Sequence, residues 1–495
     1  MKRLLLAIPL LILFLLWASP PGQSQNNTWS RPLRLGDGWF PDIVTDATGY
    51  VHLVYASAVG DSDNFKGYDV VMYTGSTDGV RWSPPNDIGA RPQSAGSEVT
   101  RPYLVADARN RLHLTYRDTT VFYAQAPADL AGQAGSWSLK PINLGYFSVF
   151  GLDNQDRMHL LYTDNVVSDQ CAICYHLFYR FSDNDGQSWS SATDVSTLPI
   201  GSAKPQLIID EQDNLYLFWE AGIGGSYGQL VDPTVVLFSF STDRGETWSL
   251  PSQLSADGER ARHPGLGLDG EGNLVVVWLN PQTDLVHYRI SGDGGRTWTA
   301  AAAIPHIWGG WSIYPGRLDH YVMAADSQGH LHLVLVGRTS ANQSSLDLLH
   351  LTWDGSAWSD PEIIASFYGD VPEWPEITIA NGQELHVTWF IRPEAYIWSG
   401  GFGSQVWYAH RLLDVPRVEE VFLPTLTPPP ATPTAELLTT PTVVPLSAAG
   451  AQTESLGFYG DITTENDDVF LIFQSLVLPL LFIMGATFII RQFQK

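Results

Sequence analysis

The chain is poor in basic residues and nearly free of cysteine. Lys and Arg total 27 against 52 Asp and Glu, for a formal net charge of -25 over 495 residues. A phosphate-binding surface needs clustered Lys and Arg, so this balance excludes a nucleic-acid partner. Only two cysteines occur, Cys171 and Cys174 in "CAIC". One C-x-x-C with no second pair cannot complete a four-cysteine zinc site, and no βαβ pattern surrounds it as a thioredoxin-like motif requires. A local disulfide staple between Cys171 and Cys174 is expected, suited to an oxidising compartment; a redox pair and half a metal site are the other readings. Charged residues make up only 16% of the chain while aromatics reach 12%, a balance that suits packed β-sheets.

Two apolar runs stand out. Lys2 and Arg3 precede a run from Leu4 to Trp17, followed by turn-forming residues. This is the pattern of a secretory signal over residues 1–25, short for a membrane span and without a clean A-x-A site; an uncleaved anchor is the alternative. Near the other end, Val469 to Ile490 carries no charge and is long enough to cross a bilayer. Acidic residues precede it, and Arg491 and Lys495 follow. The positive-inside rule then places 491–495 in the cytoplasm and the bulk outside, a single-pass type I topology. Between ring and span, the Pro/Thr-rich stretch within 414–468 reads as an extended stalk.

Residues 26–413 repeat. Seven segments share an apolar stretch, a turn and an alternating strand, beginning with "PDIVTDATGYVHLVY" and ending with "PEITIANGQELHVTW". Asp46, Asp107, Asp153, Asp210, Asp269 and Asp326 open six of the turns, and Ala380-Asn381 stands in the seventh. Aspartate at a first corner accepts N–H groups from residues two or more places on, so each segment is a β-hairpin. A second series, Trp29, Trp82, Trp137, Trp189, Trp248, Trp298 and Trp358, is followed each time by a short strand. Four strands per unit of this length is the mark of a propeller blade. The expected fold is all-β, a seven-bladed β-propeller, with six blades as the alternative. The first Trp precedes the first hairpin and the last hairpin has no Trp after it, so Trp29–Gly36 is expected to supply the outer strand of the last blade. "DVPRVEEVFLP" is expected to add an edge strand.

The Trp series sits in a box. "STDRGETW" from Ser241 and "SGDGGRTW" from Ser291 fill the pattern S-x-D-x-G-x-T-W, and "STDGVRW" from Ser76 is a shortened copy. These strings resemble the Asp-box of the bacterial neuraminidase repeat found in sialidase-like propellers. Asp78, Asp243 and Asp293 would tie down the box, Gly245 and Gly295 would take positive φ, and Trp248 and Trp298 would pack between blades: a fold marker rather than a reactive group. "DNDG" at Asp183 has calcium-loop residues, but no bidentate acid follows at EF-hand spacing, so no metal or cofactor is expected. His52, His113, His159, His332 and His386 recur at one position in five blades and read as packing.

The resemblance implies an active-site face opposite the boxes, with three arginines for a carboxylate, an Asp acid/base, and a Tyr nucleophile activated by Glu. The family's opening Arg-Ile-Pro motif is absent. The nearest positions are Arg101 in "TRPY", Arg262 in "ARHPG" and Arg317 in "YPGRLDH", with Asp118 as acid, Tyr314 as nucleophile and Glu220 as its partner. Independently, five loops at the expected face carry aromatics beside Gly, Asp and Arg. Their ligand candidates are Trp39, Trp308, Trp311, Tyr368, Trp374, Tyr396 and Trp398. Such surfaces suit the apolar faces of sugars or a protein partner. The sequence supports a membrane-anchored, extracytoplasmic propeller that binds glycans or a cell-surface partner; the alternative is an exo-α-sialidase or related glycoside hydrolase, and whether the ring is an enzyme stays open.

Overall fold

The computed structural model describes residues 28–418 apart from 61–66, 94–98, 119, 167–173, 198–199, 225–229, 316–317 and 398–402. The expected signal (1–25), the stalk beyond 418, the span 469–490 and the tail lie outside the described residues, as do Cys171, Arg317 and Trp398. Cys174 is disulfide-bonded.

Seven four-stranded antiparallel sheets follow one another along the chain. The ring therefore has seven blades, and the six-bladed alternative is set aside. In blades one to six the strands run in chain order from the innermost outward. Blade seven differs: its outer strand is Leu33–Asp37, paired antiparallel with Gln405–Leu412. Upstream of it, Ser30 N–H donates to His410 O at 2.8 Å, and Ser30 Oγ accepts the His410 N–H at 2.9 Å. Both chain ends thus close one sheet, which leaves no open seam. The expected strand at "DVPRVEEVFLP" does not form over the described residues 414–418. The chain there crosses the turn end of the ring instead, with Val418 N–H on Asn381 O at 2.9 Å and Ser327 Oγ on Pro416 O at 2.5 Å. Pro416 has no N–H to give to a ladder at the centre of this stretch.

The turn aspartates do more than cap. Asp107 Oδ1 accepts N–H from Arg109 and Arg111 at 2.9 and 2.8 Å, while Oδ2 meets His113 Nε2 at 3.2 Å. His113 Nδ1 then meets Tyr123 Oη at 2.9 Å on the third strand. The same relay joins Asp46, His52 and Tyr73, and again Asp153, His159 and Tyr179. In blade four Tyr216 replaces the histidine and bonds Asp210 directly at 2.9 Å. His52, His113, His159 and His332 are therefore buried links between turn and third strand, while His386, whose turn lacks the aspartate, keeps only the third-strand bond, to Tyr408 at 2.7 Å.

Box tryptophans lean on an aromatic ring of the preceding blade. Trp248 lies 5.2 Å from Tyr179, Trp298 5.0 Å from Phe238 and Trp82 4.7 Å from Tyr408, all edge-on. The box is held by its aspartate: Asp243 accepts Thr247 N–H at 2.9 Å, Thr247 Oγ1 at 2.5 Å and Ser241 Oγ at 2.8 Å. Asp293 repeats the set, and Asp78 accepts N–H from Val80 and Arg81. Asp183 of "DNDG" pairs with Arg157 and Asp185 with Arg111.

Candidate functional site in the axial cavity

In five blades the innermost strand contains an X-Pro pair: Phe40-Pro41, Arg101-Pro102, Lys204-Pro205, His263-Pro264 and Trp374-Pro375. Proline cannot donate to the ladder, so the pairing must break there. It does: the register to the second strand slips at each of these sites. The residue before each proline takes positive φ, at 49°, 49°, 51°, 55° and 54° respectively. A non-glycine residue in this region costs about 1–2 kcal/mol, and such bulges re-aim side chains beside functional sites. Here they turn Phe40, Arg101, Lys204, His263 and Trp374 out of the strand pattern at the same level of the ring.

Arg101 sits at the centre of what this gathers. It is 6% exposed. Its guanidinium carbon lies 4.3 Å from the Phe40 ring centre, 4.6 Å from Phe147, 4.8 Å from Tyr146 and 5.6 Å from Trp374. Phe40 itself meets Trp374 edge-on at 5.0 Å. Among the described residues no carboxylate pairs with Arg101, and its buried Nε has no hydrogen-bond partner. Cation–π contact offsets part of the desolvation of a buried guanidinium, while Nη1 reaches only Thr100 Oγ1, at 3.5 Å, and Nε stays unmet. A second cation, Arg117, lies 4.4 Å from the Tyr146 ring.

Below the cage the innermost strands enclose a cavity of about 260 Å³, lined by Asp42, Arg101, Tyr103, Lys204, Gln206, His320, Trp374 and Glu376 among others. This is near the lower end of small-ligand pockets, about 300–1,000 Å³. Lys204 and Arg262 share the buried Glu220, at 3.4 and 2.9 Å, and His263 N–H approaches the same carboxylate at 3.3 Å. Burial pushes the Lys204 amine down and Glu220 opposes it. Deeper, Glu373 accepts Arg392 Nη2 at 2.7 Å and Leu318 N–H at 3.0 Å; burial raises its pKa despite Arg392.

The sequence candidates separate. Arg101 lines the cavity. Arg262 is held by Glu220 beneath the Trp311 ring, 4.9 Å away. Glu220 therefore serves two cations rather than Tyr314. The Tyr314 hydroxyl bonds Glu394 instead; burial and this carboxylate raise its pKa. Asp118 faces Arg91 at 3.5 Å and is not among the cavity residues. Of the aromatics, Trp374 walls the cage and Trp311 covers Arg262. Trp39 and Trp308 lie within strands, the latter bridged to Arg338. Tyr368 and Tyr396 are exposed, at 85% and 44%. Phe40, Tyr146, Phe147 and His320 were missed, although each lies in a loop stretch the sequence singles out; the X-Pro pair was the available signal for Phe40.

With the ring and its site described, the chain can be set beside known proteins. Residues 141–387 match the BNR repeat-like domain family. The chain carries a BNR repeat-like domain. No curated protein matches it. Similar solved structures include a protein of unknown function from Dyadobacter fermentans, 12% identical with a TM-score of 0.47, covering 78% of this chain and 99% of that one. An ulvan lyase of a polysaccharide lyase family is 10% identical, with a TM-score of 0.49 and coverage of 76% and 95%. The NanB sialidase from Streptococcus pneumoniae is 13% identical, with a TM-score of 0.43 and coverage of 79% and 70%.

Proposed function

We propose that this BNR-type propeller binds glycans that bear a carboxylate, and that it does so in the axial cavity through Arg101. The observation that carries this reading is the guanidinium itself: buried, caged by four aromatic rings, and without an anion among the described residues. A carboxylate would take bidentate bonds from Nε and an Nη of this guanidinium in a site of low dielectric, where such pairs are strong. The ring faces beside it suit the apolar face of a sugar. In this reading the chain is exported and held at the extracytoplasmic surface by residues 469–490.

The hydrolytic alternative is less well supported. Its nucleophile, Tyr314, needs a lowered pKa, and the neighbouring Glu394 raises it. The test is titration calorimetry of the full-length chain with D-glucuronate, N-acetylneuraminate and neutral D-glucose. Carboxylated sugars should bind and glucose should not; Arg101→Met should abolish the binding and keep the melting temperature. Equal affinity for glucose and glucuronate would overturn the carboxylate reading. Protease protection of the C-terminal tail in intact cells tests the topology.

A further inference from the structure

We propose that the floor of the same cavity is a hydroxyl-binding subsite, in which Asp42 and Glu376, the latter held in place by His320, receive the ring hydroxyls of the sugar whose carboxylate Arg101 holds. This rests on the carboxylate reading above and extends it to residues on three other blades.

The bulges explain why these groups meet. Two residues beyond Phe40, Arg101, Lys204 and Trp374 stand Asp42, Tyr103, Gln206 and Glu376. All four line the cavity with His320. A shared offset from a shared bulge brings polar side chains from four blades to one level of the axis. Glu376 Oε1 lies 2.9 Å from His320 Nε2, which also meets Pro375 O at 3.0 Å, while His320 Nδ1 faces Gln206 Nε2 at 3.4 Å. With the Gln206 amide donating to Nδ1, the imidazole proton sits on Nε2 and is given to Glu376. Asp42 accepts N–H from Ile43 at 2.8 Å and from Leu104 of the next blade at 2.5 Å. Burial, with Glu376 beside it, raises the Asp42 pKa well above the usual carboxylate range. Burial also raises that of Tyr103, with Asp42 and Glu376 adding to the shift.

The floor thus offers donors in the Tyr103 hydroxyl and the Gln206 amide, and acceptors in the Asp42 and Glu376 carboxyls. Sugar hydroxyls both donate and accept, and need such a mixture. The charged groups facing the floor are Arg101 and Lys204, with Glu220, Arg262 and Asp319 behind Lys204. An acidic pair alone would be only an acidic pair. The independent sign of a ligand is Arg101, nine-tenths buried with an unmet Nε on the same cavity. The two parts share a wall: Trp374 borders Arg101 at 5.6 Å and His320 at 4.2 Å.

The experiment is calorimetry of the full-length chain with D-glucuronate from pH 5 to pH 9. Glu376→Gln should weaken binding about tenfold or more, the scale of one lost charged hydrogen bond. His320→Gln should weaken it by a similar factor, so the inference does not hang on one variant's folding. Wild-type affinity should fall as pH rises and Asp42 ionises next to Glu376, and Asp42→Asn should flatten that dependence. If glucuronate binds and needs Arg101, but Glu376→Gln and His320→Gln both stay within about twofold of wild type, the subsite is wrong and the carboxylate reading stands. If glucuronate does not bind wild-type protein, both fall.

Discussion

Alanine in place of Gly245 separates a packing role for the Asp-box from a chemical one. Gly245 has φ of +86°, and a Cβ built there would lie 2.7 Å from Tyr179 Cε1 and closer still to its hydroxyl. Tyr179 is buried, belongs to the preceding blade, and holds His159 Nδ1 at 2.8 Å. Three costs follow. The left-handed backbone costs alanine about 1 kcal/mol. Forcing a buried ring aside in a packed core costs about 1–3 kcal/mol. Loosening the bond to His159 costs about 1 kcal/mol. The expected loss is about 3–5 kcal/mol. Gly258 is the matched control: its φ is +74°, yet nothing stands within 4 Å of a Cβ there. Gly258→Ala should therefore cost only about 1 kcal/mol, the backbone share alone. Equilibrium unfolding in guanidinium chloride measures both variants against wild type. Equal losses for the two would refute the account of the box as a wedge between blades.

Other consequences can be measured alongside. Burial opposes ionisation of Asp107, but bonds from His113 and from Arg111 N–H outweigh it and hold the carboxyl at about 2. Because the folded value lies below the ordinary one, this stability is present above about pH 4 and is lost as pH falls towards 2, about 2 kcal/mol for that residue. The Asp46, Asp153 and Asp326 carboxyls are lowered too; acid unfolding followed by circular dichroism should steepen in this window, and should be shallower in His113→Phe. Trp248→Ala should cost about 3–5 kcal/mol by the same denaturant assay while leaving glucuronate affinity unchanged. Deleting residues 26–37 should bare the Gln405–Leu412 edge and turn a monodisperse protein into aggregates on size exclusion.

Blade count and ring closure could be read from the chain because both are periodic. Seven turn motifs and seven tryptophans are out of step by one, and only a shared last blade reconciles them. The histidines read only as packing from the sequence, although the spacing that the relay uses, six residues, recurs from Asp46 to His52, Asp107 to His113, Asp153 to His159 and Asp326 to His332. The site was not legible, since it breaks the period. In "DGWF" Trp39 is the ligand candidate as an aromatic of an expected loop, yet the bulge turns Phe40 to the cage, and a one-residue slip exchanges the two faces of a strand. Arg101 was found by its likeness to a family arginine. Its aromatic cage comes from three separate stretches of chain, which no local pattern joins. Glu220 is paired with Tyr314 only by the family resemblance; the fold gives it to Lys204 and Arg262.

The central claim is that Arg101 holds a carboxylate in the axial cavity, and a crystal structure of the protein soaked with D-glucuronate tests it most directly. The account predicts the sugar's carboxylate oxygens at about 2.7–2.9 Å from the Arg101 guanidinium, against the Trp374 and Phe147 rings. A sugar bound elsewhere on the ring, with Arg101 still facing only its aromatic cage, would contradict it.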